Sequence, residues 1–436
     1  MAIGRELRDA LRNVSLKGVS LGLERACRLV VTFASARVLG EAAFGRFAYV
    51  STATALLAVG SDLGLGVWTT RALARSREDG DRVVRVGLAL RGLASFPYGL
   101  GVAVAAWLLF RGEERVAASL LGVAALANAF VDHFGAILRG YELFVDEARL
   151  NASRAVLIGA AGFVALTLGR SITALSTGFA VAGLGSFVYG LTILLRLHPL
   201  RGVPFRAAAQ SERALARAAL EQSLPIWFAG LVSLLYFKVD TFFVRSFSGD
   251  AELGAYAAAF KFFEGSMIVP AVLLAVAFPR LARAHNGDRH AQRRLELRLG
   301  LVLMMLGLCA GALCFFGAAP LVRLGCGPGF ERAEYSLRLL ALGVPLLYLN
   351  FGLTHFLVAR DLGRATLWFA LMMLALNVAL DLALIPRRAG PGAALATVLS
   401  EVALTSGCIL RLTMGVARAH MLPSAPEEPK RDRRAA

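Results

Sequence analysis

Leu39-Gly40-Glu41-Ala42-Ala43-Phe44-Gly45-Arg46-Phe47-Ala48 returns later in the chain as Ser248-Gly249-Asp250-Ala251-Glu252-Leu253-Gly254-Ala255-Tyr256-Ala257. Gly45 aligns with Gly254 and Phe47 with Tyr256; further on, Leu73-Ala74-Arg75 matches Leu281-Ala282-Arg283 at nearly the same spacing. Each copy joins one apolar run to the next. The chain therefore reads as one unit made twice, and internal repeats of this kind govern the whole architecture.

Outward from these copies the apolar runs continue from Leu16 to Met414. Of the 436 residues 57% are hydrophobic and 18% charged, with mean hydropathy +0.63; a soluble domain has roughly 45–50% apolar and about 25% charged residues. A spanning helix needs about 20 mostly apolar residues. Such runs fall at 16–39, 44–70, 83–110, 115–138, 150–169 and 172–195, then at 222–244, 253–279, 295–318, 336–359, 365–386 and 390–413. The expectation is an all-α integral membrane protein with about twelve transmembrane helices. Six spans per repeat is even, so the halves run in the same direction. They should form two parallel, pseudo-twofold-related six-helix lobes around a central cavity, with the axis along the membrane normal. The boundaries read as 1–15 for an N-terminus, 16–196 for the first lobe, 197–221 for a linker, 222–413 for the second lobe and 414–436 for a polar, Pro-rich tail read as disordered. Residues 210–222 read as a surface helix within the linker. The polar, mixed-charge residues 1–15 and the long run after them argue for an uncleaved first span rather than a signal peptide.

The formal net charge is +17. A basic chain raises the possibility of nucleic acid, but here the distribution decides. With twelve spans both termini share a side, and roughly three-quarters of the loop Lys and Arg lie on that side. Positive residues mark cytoplasmic loops, so both termini are expected to be cytoplasmic and no nucleic-acid partner is expected.

Charged residues inside a bilayer cost about 2.5–3.5 kcal/mol each on insertion scales, so they face a partner, a packed interior or a water-filled cavity. In the first span Lys17, Ser20, Glu24, Arg28, Thr32 and Ser35 follow a helical period and form one polar stripe; Glu24 and Arg28 are four apart, and Arg25 stands at the stripe's edge. Further intramembrane cations are Arg91, Arg154, Lys238, Lys261 and Arg338; the acids are Asp62, Asp132, Asp240, Glu264 and Glu401. Arg25, Arg28, Arg91, Arg154, Lys238 and Lys261 are the candidates for holding an anionic head group. Glu24, Asp62, Asp132, Asp240 and Glu264 are the candidates for binding H⁺ or Na⁺ and coupling transport to an ion gradient.

Other patterns carry no chemistry. Gly18-Val19-Ser20-Leu21-Gly22 matches a nucleophile elbow, but that motif needs a strand-to-helix turn with His and acid partners. Its glycines fit a close-packing spacing, as do Gly60/Gly64 and Gly307/Gly311. The five cysteines contain no C-x-x-C pair and the histidines are scattered, so no disulfide framework, metal site or resident cofactor is expected. No P-loop or Rossmann fingerprint is present, which argues against direct ATP use. The chain is not expected to be an enzyme.

The motif order is similar to that of Wzx-type oligosaccharide flippases of the multidrug/oligosaccharidyl-lipid/polysaccharide exporter superfamily. Ala36-Arg37-Val38-Leu39-Gly40 through Phe44-Gly45-Arg46-Phe47-Ala48, then Asp62-Leu63-Gly64-Leu65-Gly66 and Arg71, resemble the family's opening. Asp240 with Gly254-Ala255-Tyr256, the loop Leu324-Gly325-Cys326-Gly327-Pro328-Gly329-Phe330, Asn377-Val378-Ala379-Leu380-Asp381, Ile385-Pro386 and Gly390-Pro391-Gly392-Ala393-Ala394 resemble its second half. Asp381 stands where Asn is more usual. The resemblance implies movement of an undecaprenyl-pyrophosphate-linked oligosaccharide between leaflets for O-antigen, capsule or exopolysaccharide. It also implies a polysaccharide polymerase and chain-length proteins as partners. A drug/cation antiporter or a lipid II flippase of the same superfamily would share the fold, and a membrane glycosyltransferase or polymerase is a more distant alternative.

Overall fold

A computed structural model describes residues 2–197, 210–285, 289–360 and 362–421, with side-chain environments given between Gly18 and Thr413, short stretches excepted. Twelve helical elements follow in order: α1 (Ala2–Asp62), α2 (Leu65–Arg75), α3 (Gly80–Leu109), α4 (Glu113–Gly140), α5 (Phe144–Leu168), α6 (Ile172–Leu197), α7 (Gln210–Ser266), α8 (Ile268–His285), α9 (Arg289–Phe316), α10 (Ala318–Cys326), α11 (Glu331–Ala359) and α12 (Gly363–Met421). The described residues contain no strand.

Among the described residues, nine helical stretches are long and apolar enough to cross a membrane. Three of them run for 58, 63 and 49 residues, far more than the roughly 20 that one crossing takes. Each has a break with positive φ near its middle, at Gly40 (φ 75°), Gly249 (φ 82°) and Ala389 (φ 53°), besides the turns at Leu63–Gly64 and Met267 near the ends of the first two. A left-handed residue breaks the i→i−4 ladder, and glycine reaches that conformation without strain. The interruptions divide three long stretches into six crossings and give the twelve-helix, two-lobed fold. Gly40 and Gly249 occupy equivalent positions in the two copies of the opening motif.

Lipid-facing surface is plain in the exposed side chains. Phe96 and Phe163 are 78% and 69% exposed, Trp107 69%, Leu313 65% and Phe316 82%; only an apolar solvent makes such a belt stable. On the first span the usual arrangement is inverted: Val19, Leu23 and Val30 are exposed, whereas Ser20, Glu24 and Ser35 are buried. The polar stripe therefore faces protein, and its Lys17 end lies outside the described side chains.

Several expectations are revised. Residues 210–222 are no separate surface helix but the continuous start of α7. The expected connection at 280–294 is largely helical, split between α8 and α9, and the loop at 319–335 contains α10. Linker residues 198–209 and the tail from 422 lie outside the described residues. Gly18 and Gly22 are not a packing seam, since a Cβ at either would meet nothing within 4 Å. Gly307 and Gly311 are one: there α9 sits on α11, and added Cβ atoms would come within 2.7 Å of Pro345 and 2.8 Å of the Ala341 carbonyl.

The repeated motif is itself where the lobes meet. A Cβ on Gly45 would collide with the backbone carbonyl of Asp250, and one on Gly254 with the carbonyl of Glu41. Asp250 and Glu41 are themselves equivalent positions, so the contact is reciprocal across the pseudo-twofold axis. Arg245 reinforces it, with Nη2 2.6 Å from Glu114, Nε 2.8 Å from Asp250 and the guanidinium 4.1 Å over the Tyr49 ring. Arg37 donates to the Arg323 carbonyl at 3.0 Å, and Phe33 stacks 4.5 Å from Phe262. The lobes are thus closed against each other at the end opposite the Arg-rich loops.

Candidate functional site

Behind this closed seam lies a cavity of about 240 Å³. The first lobe supplies Arg28, Thr32, Phe44, Phe47, Ser51, Thr54 and Asn128; the second supplies Lys238, Thr241, Tyr256, Phe260 and Lys261. Three cations and no carboxylate form its wall. Arg28 lies within electrostatic reach of Lys261 across the lobe boundary. Like charges from two rigid bodies facing one small cavity are unfavourable until an anion stands between them.

Carboxylates hold these cations from behind. Lys261 Nζ is 2.7 Å and Lys238 Nζ 3.3 Å from Glu264 Oε2. The pair Lys261–Glu264 follows from i,i+3 spacing; Lys238 joins from the previous span. Lys238 also sits 5.2 Å over the Phe260 ring. On the other side Arg28 Nη2 is 2.7 Å from Glu24 Oε1, and Arg154 reaches the same oxygen at 3.7 Å while bonding Asp132 at 2.8 Å. Glu24, Asp132 and Glu264 are thus paired with Arg or Lys.

Not every candidate reaches the cavity. Arg25 is exposed and outside its wall, because one residue of helix turns it about 100° from Glu24. Arg91 is 1% exposed inside the first lobe, where it bonds Asp62 at 2.6 Å and the Ala129 carbonyl at 2.7 Å. Arg91 and Asp62 tie α3 to α1 and α4 and do not line the cavity. Arg154 and Asp132 stand one layer behind Arg28.

Asp240 differs from the other acids. It is 3% exposed, accepts the Thr241 amide at 2.8 Å and the Tyr256 hydroxyl, and has no Lys or Arg within ion-pair distance among the described residues. Asp381, 0% exposed, lies within electrostatic reach of it. Both Asp381 oxygens and the Asn377 carbonyl oxygen lack a hydrogen-bond partner, and Thr397 sits beside the Tyr256 hydroxyl. Asp381, with two orphan oxygens, stands beside a second buried carboxylate, and Lys238 reaches Asp240 only electrostatically, with no ion pair; such a site suits a proton or a small cation. Sequence reasoning assigned Asp240 but gave Asp381, Asn377 and Tyr256 no role. The available signal was Asn377 and Asp381 four apart within an apolar run.

A second cavity, about 770 Å³, lies within the second lobe. Its wall is mainly apolar and aromatic, with Tyr236, Phe237, Phe351 and Phe369, and it contains no Lys or Arg. Glu401 lines it, 1% exposed, accepting from Tyr236 at 3.0 Å and Asn350 at 2.7 Å.

The family model described as polysaccharide biosynthesis protein matches residues 10–285, more than half of the chain. The chain belongs to that family. A second model, MatE, matches residues 225–383 of this family member. No curated protein matches it. Among solved structures it is similar to the inward-facing conformation of a multidrug resistance MATE family transporter of the MOP superfamily. The TM-score is 0.74 at 14% identity, over 94% of this chain and 100% of the other. An outward-facing conformation of such a transporter gives TM-score 0.65 at 16% identity, over 94% and 96%. The lipid II flippase MurJ in an inward closed conformation gives 0.72 at 15% identity, over 91% and 87%. The chain therefore has the fold of these structures, and this polysaccharide biosynthesis family member is a multi-pass membrane protein.

Proposed function

We propose that the protein moves an undecaprenyl-pyrophosphate-linked oligosaccharide from the cytoplasmic to the periplasmic leaflet of the bacterial inner membrane by alternating access. The reading rests above all on one observation: Arg28, Lys238 and Lys261 converge from both lobes on a cavity whose wall has no carboxylate. A pyrophosphate needs several charge-assisted donors once it leaves water. The size fits a head group. Ligand pockets for drug-sized molecules hold about 300–1,000 Å³, so 240 Å³ takes the pyrophosphate and its nearest sugar, with the remaining sugars in the open path. The Arg-rich loops and both termini lie on the cytoplasmic side in this reading, and the closed seam at Gly45 and Gly254 is periplasmic. The Asp240–Asp381 pair takes H⁺ or Na⁺ and supplies the coupling. The product feeds O-antigen, capsule or exopolysaccharide synthesis, with a polymerase and chain-length proteins as partners.

The test is export in a strain lacking its own oligosaccharide flippase. The Arg28→Gln/Lys261→Gln double variant should reach the membrane in normal amount and lose export, because each charged hydrogen bond contributes about 1.5–3 kcal/mol. Normal export by the double variant overturns the electrostatic reading.

One observation favours a second reading, a drug/cation antiporter. The 770 Å³ cavity is apolar, aromatic and free of Lys and Arg, with Glu401 at its wall, a chemistry that suits a lipophilic cation. Export of ethidium that survives Arg28→Gln/Lys261→Gln and fails in Glu401→Gln supports this reading over the first.

A further inference from the structure

Tyr256 belongs to two sites at once. Its ring is part of the wall of the cavity between the lobes, with Phe44, Phe260 and Lys261. Its hydroxyl donates to Asp240 Oδ2, with Thr397 alongside, so the other end of the side chain is part of the acid pair. The side chain is 2% exposed and stands between the two sites.

Its backbone setting adds a third connection. Gly254, two residues earlier, closes the outer seam against Glu41. The Tyr256 Cβ lies 3.2 Å from where a Cβ on Gly390 would stand, just after the break in α12 at Ala389. A displacement of this side chain is therefore felt by the cavity, by the acid pair and by the helix break at Ala389. Interiors packed this tightly transmit strain rather than absorb it.

The repeat shows that the arrangement exists in one lobe only. The first-lobe equivalents of Asp240 and Tyr256 are Val31 and Phe47, both buried and apolar. The ring is kept in both lobes; the hydroxyl and its carboxylate are present in the second alone. Packing explains a ring at both positions, and it does not explain the hydroxyl.

The bond between them depends on the charge of Asp240. A hydroxyl bound to an ionised carboxylate is roughly twice as strong as a neutral pair. A proton or metal cation arriving at the pair removes or shares that charge and loosens Tyr256. We propose that Tyr256 is the positioning residue that couples the acid pair to the head-group cavity, its hydroxyl held by Asp240 and its ring forming the cavity wall. The inference rests on the function proposed above. Coupling of this kind is reciprocal: what changes cation affinity when the head group binds changes head-group affinity when the cation binds.

The experiment measures both affinities on the full-length protein in nanodiscs by calorimetry. Inorganic pyrophosphate is the head-group probe; Na⁺ is titrated at fixed pH, and pH is varied in choline chloride. In the wild type, saturating pyrophosphate should shift the half-saturating Na⁺ concentration or the protonation midpoint about fivefold or more, the lower end of usual allosteric couplings. Tyr256→Phe keeps the ring and should bind each ligand while the mutual shift falls to within about twofold of none. Tyr348→Phe, which removes a hydroxyl bonded to the Ser266 carbonyl elsewhere in the same lobe, should leave the shift intact. If Tyr256→Phe fails to fold, Asp240→Asn keeps a hydrogen-bond acceptor of fixed charge and should also abolish the shift. An undiminished shift in Tyr256→Phe overturns the role of Tyr256 alone, as does a wild type that binds both ligands independently. A wild type that binds neither overturns the proposed function together with it.

Discussion

The two lobes share a helical plan and divide the charges differently. In the first lobe every intramembrane acid described has an Arg beside it: Glu24 with Arg28 and Arg154, Asp62 with Arg91, Asp132 with Arg154. In the second lobe Glu264 is held by Lys238 and Lys261 and Glu296 by Arg360, whereas Asp240, Asp381 and Glu401 have no Lys or Arg within ion-pair distance among the described residues. Paired charges fix geometry. Buried unpaired acids lack that fixed partner, and their charge responds to whatever binds. A duplicated scaffold has thus become a static wall on one side and a responsive one on the other. The element that did not diverge is the seam, where Gly45 and Gly254 each lie against the other lobe's backbone.

The seam carries the largest expected effect. Gly254→Val puts a branched side chain against the Glu41 carbonyl, and Gly45→Val does the same at Asp250. No rotamer avoids a clash between Cβ and backbone, so the closed outer end becomes inaccessible while each lobe keeps its own core. Export should fall below detection. A cysteine at Ser51, in the cavity wall, should become reactive to a membrane-impermeant thiol reagent from outside. A cysteine that stays protected in both variants shows that the seam is not the gate.

The difference between lobes is sharpened by making the same substitution in each. Asp62→Asn leaves Arg91, 1% exposed, with only the Ala129 carbonyl and a neutral amide. Arg91 is buried but Asp62 is half exposed, so the cost falls below the roughly 3–5 kcal/mol of breaking a fully buried pair, and the protein should still unfold at lower temperature in detergent. Asp381→Asn removes an unpaired buried carboxylate at constant volume, so thermal stability should hold or rise, while dependence of export on the ion gradient is lost. Equal destabilisation by both would mean that Asp381 also holds a structural partner and that the lobes do not differ in this respect.

How far the sequence carried the argument follows from what each feature depends on. The spans, their parity and the repeat rest on local hydropathy and spacing, which is why they and the twelve-helix fold could be read directly. The inward turn of Glu24 and Arg28 follows from helical period alone. What could not be read was which charges meet. Arg91 and Arg28 are chemically alike, and only the packing of α3 against α4 puts one inside the lobe and the other in the cavity. Lys238 and Lys261 share Glu264 because two spans lie side by side, a fact with no local signature. Tyr256 looked like its aromatic counterpart Phe47 because its hydroxyl acquires a meaning only once Asp240, sixteen residues earlier, is folded against it.

The smallest expected effects test whether the glycine pairs Gly18/Gly22 and Gly307/Gly311 differ as the contacts say. A helical Gly→Ala change gains about 1 kcal/mol where nothing stands in the way. Gly22 has nothing within 4 Å of an added Cβ, so Gly22→Ala should leave the unfolding temperature unchanged or raise it slightly. Gly311→Ala drives a methyl to 2.8 Å from the Ala341 carbonyl, and overpacking of this kind costs about 1–3 kcal/mol, against that gain. It should lower the unfolding temperature by separating α9 from α11. A loss at Gly22 of the same size would place an undetected neighbour on the first span. That face could then not be the open one.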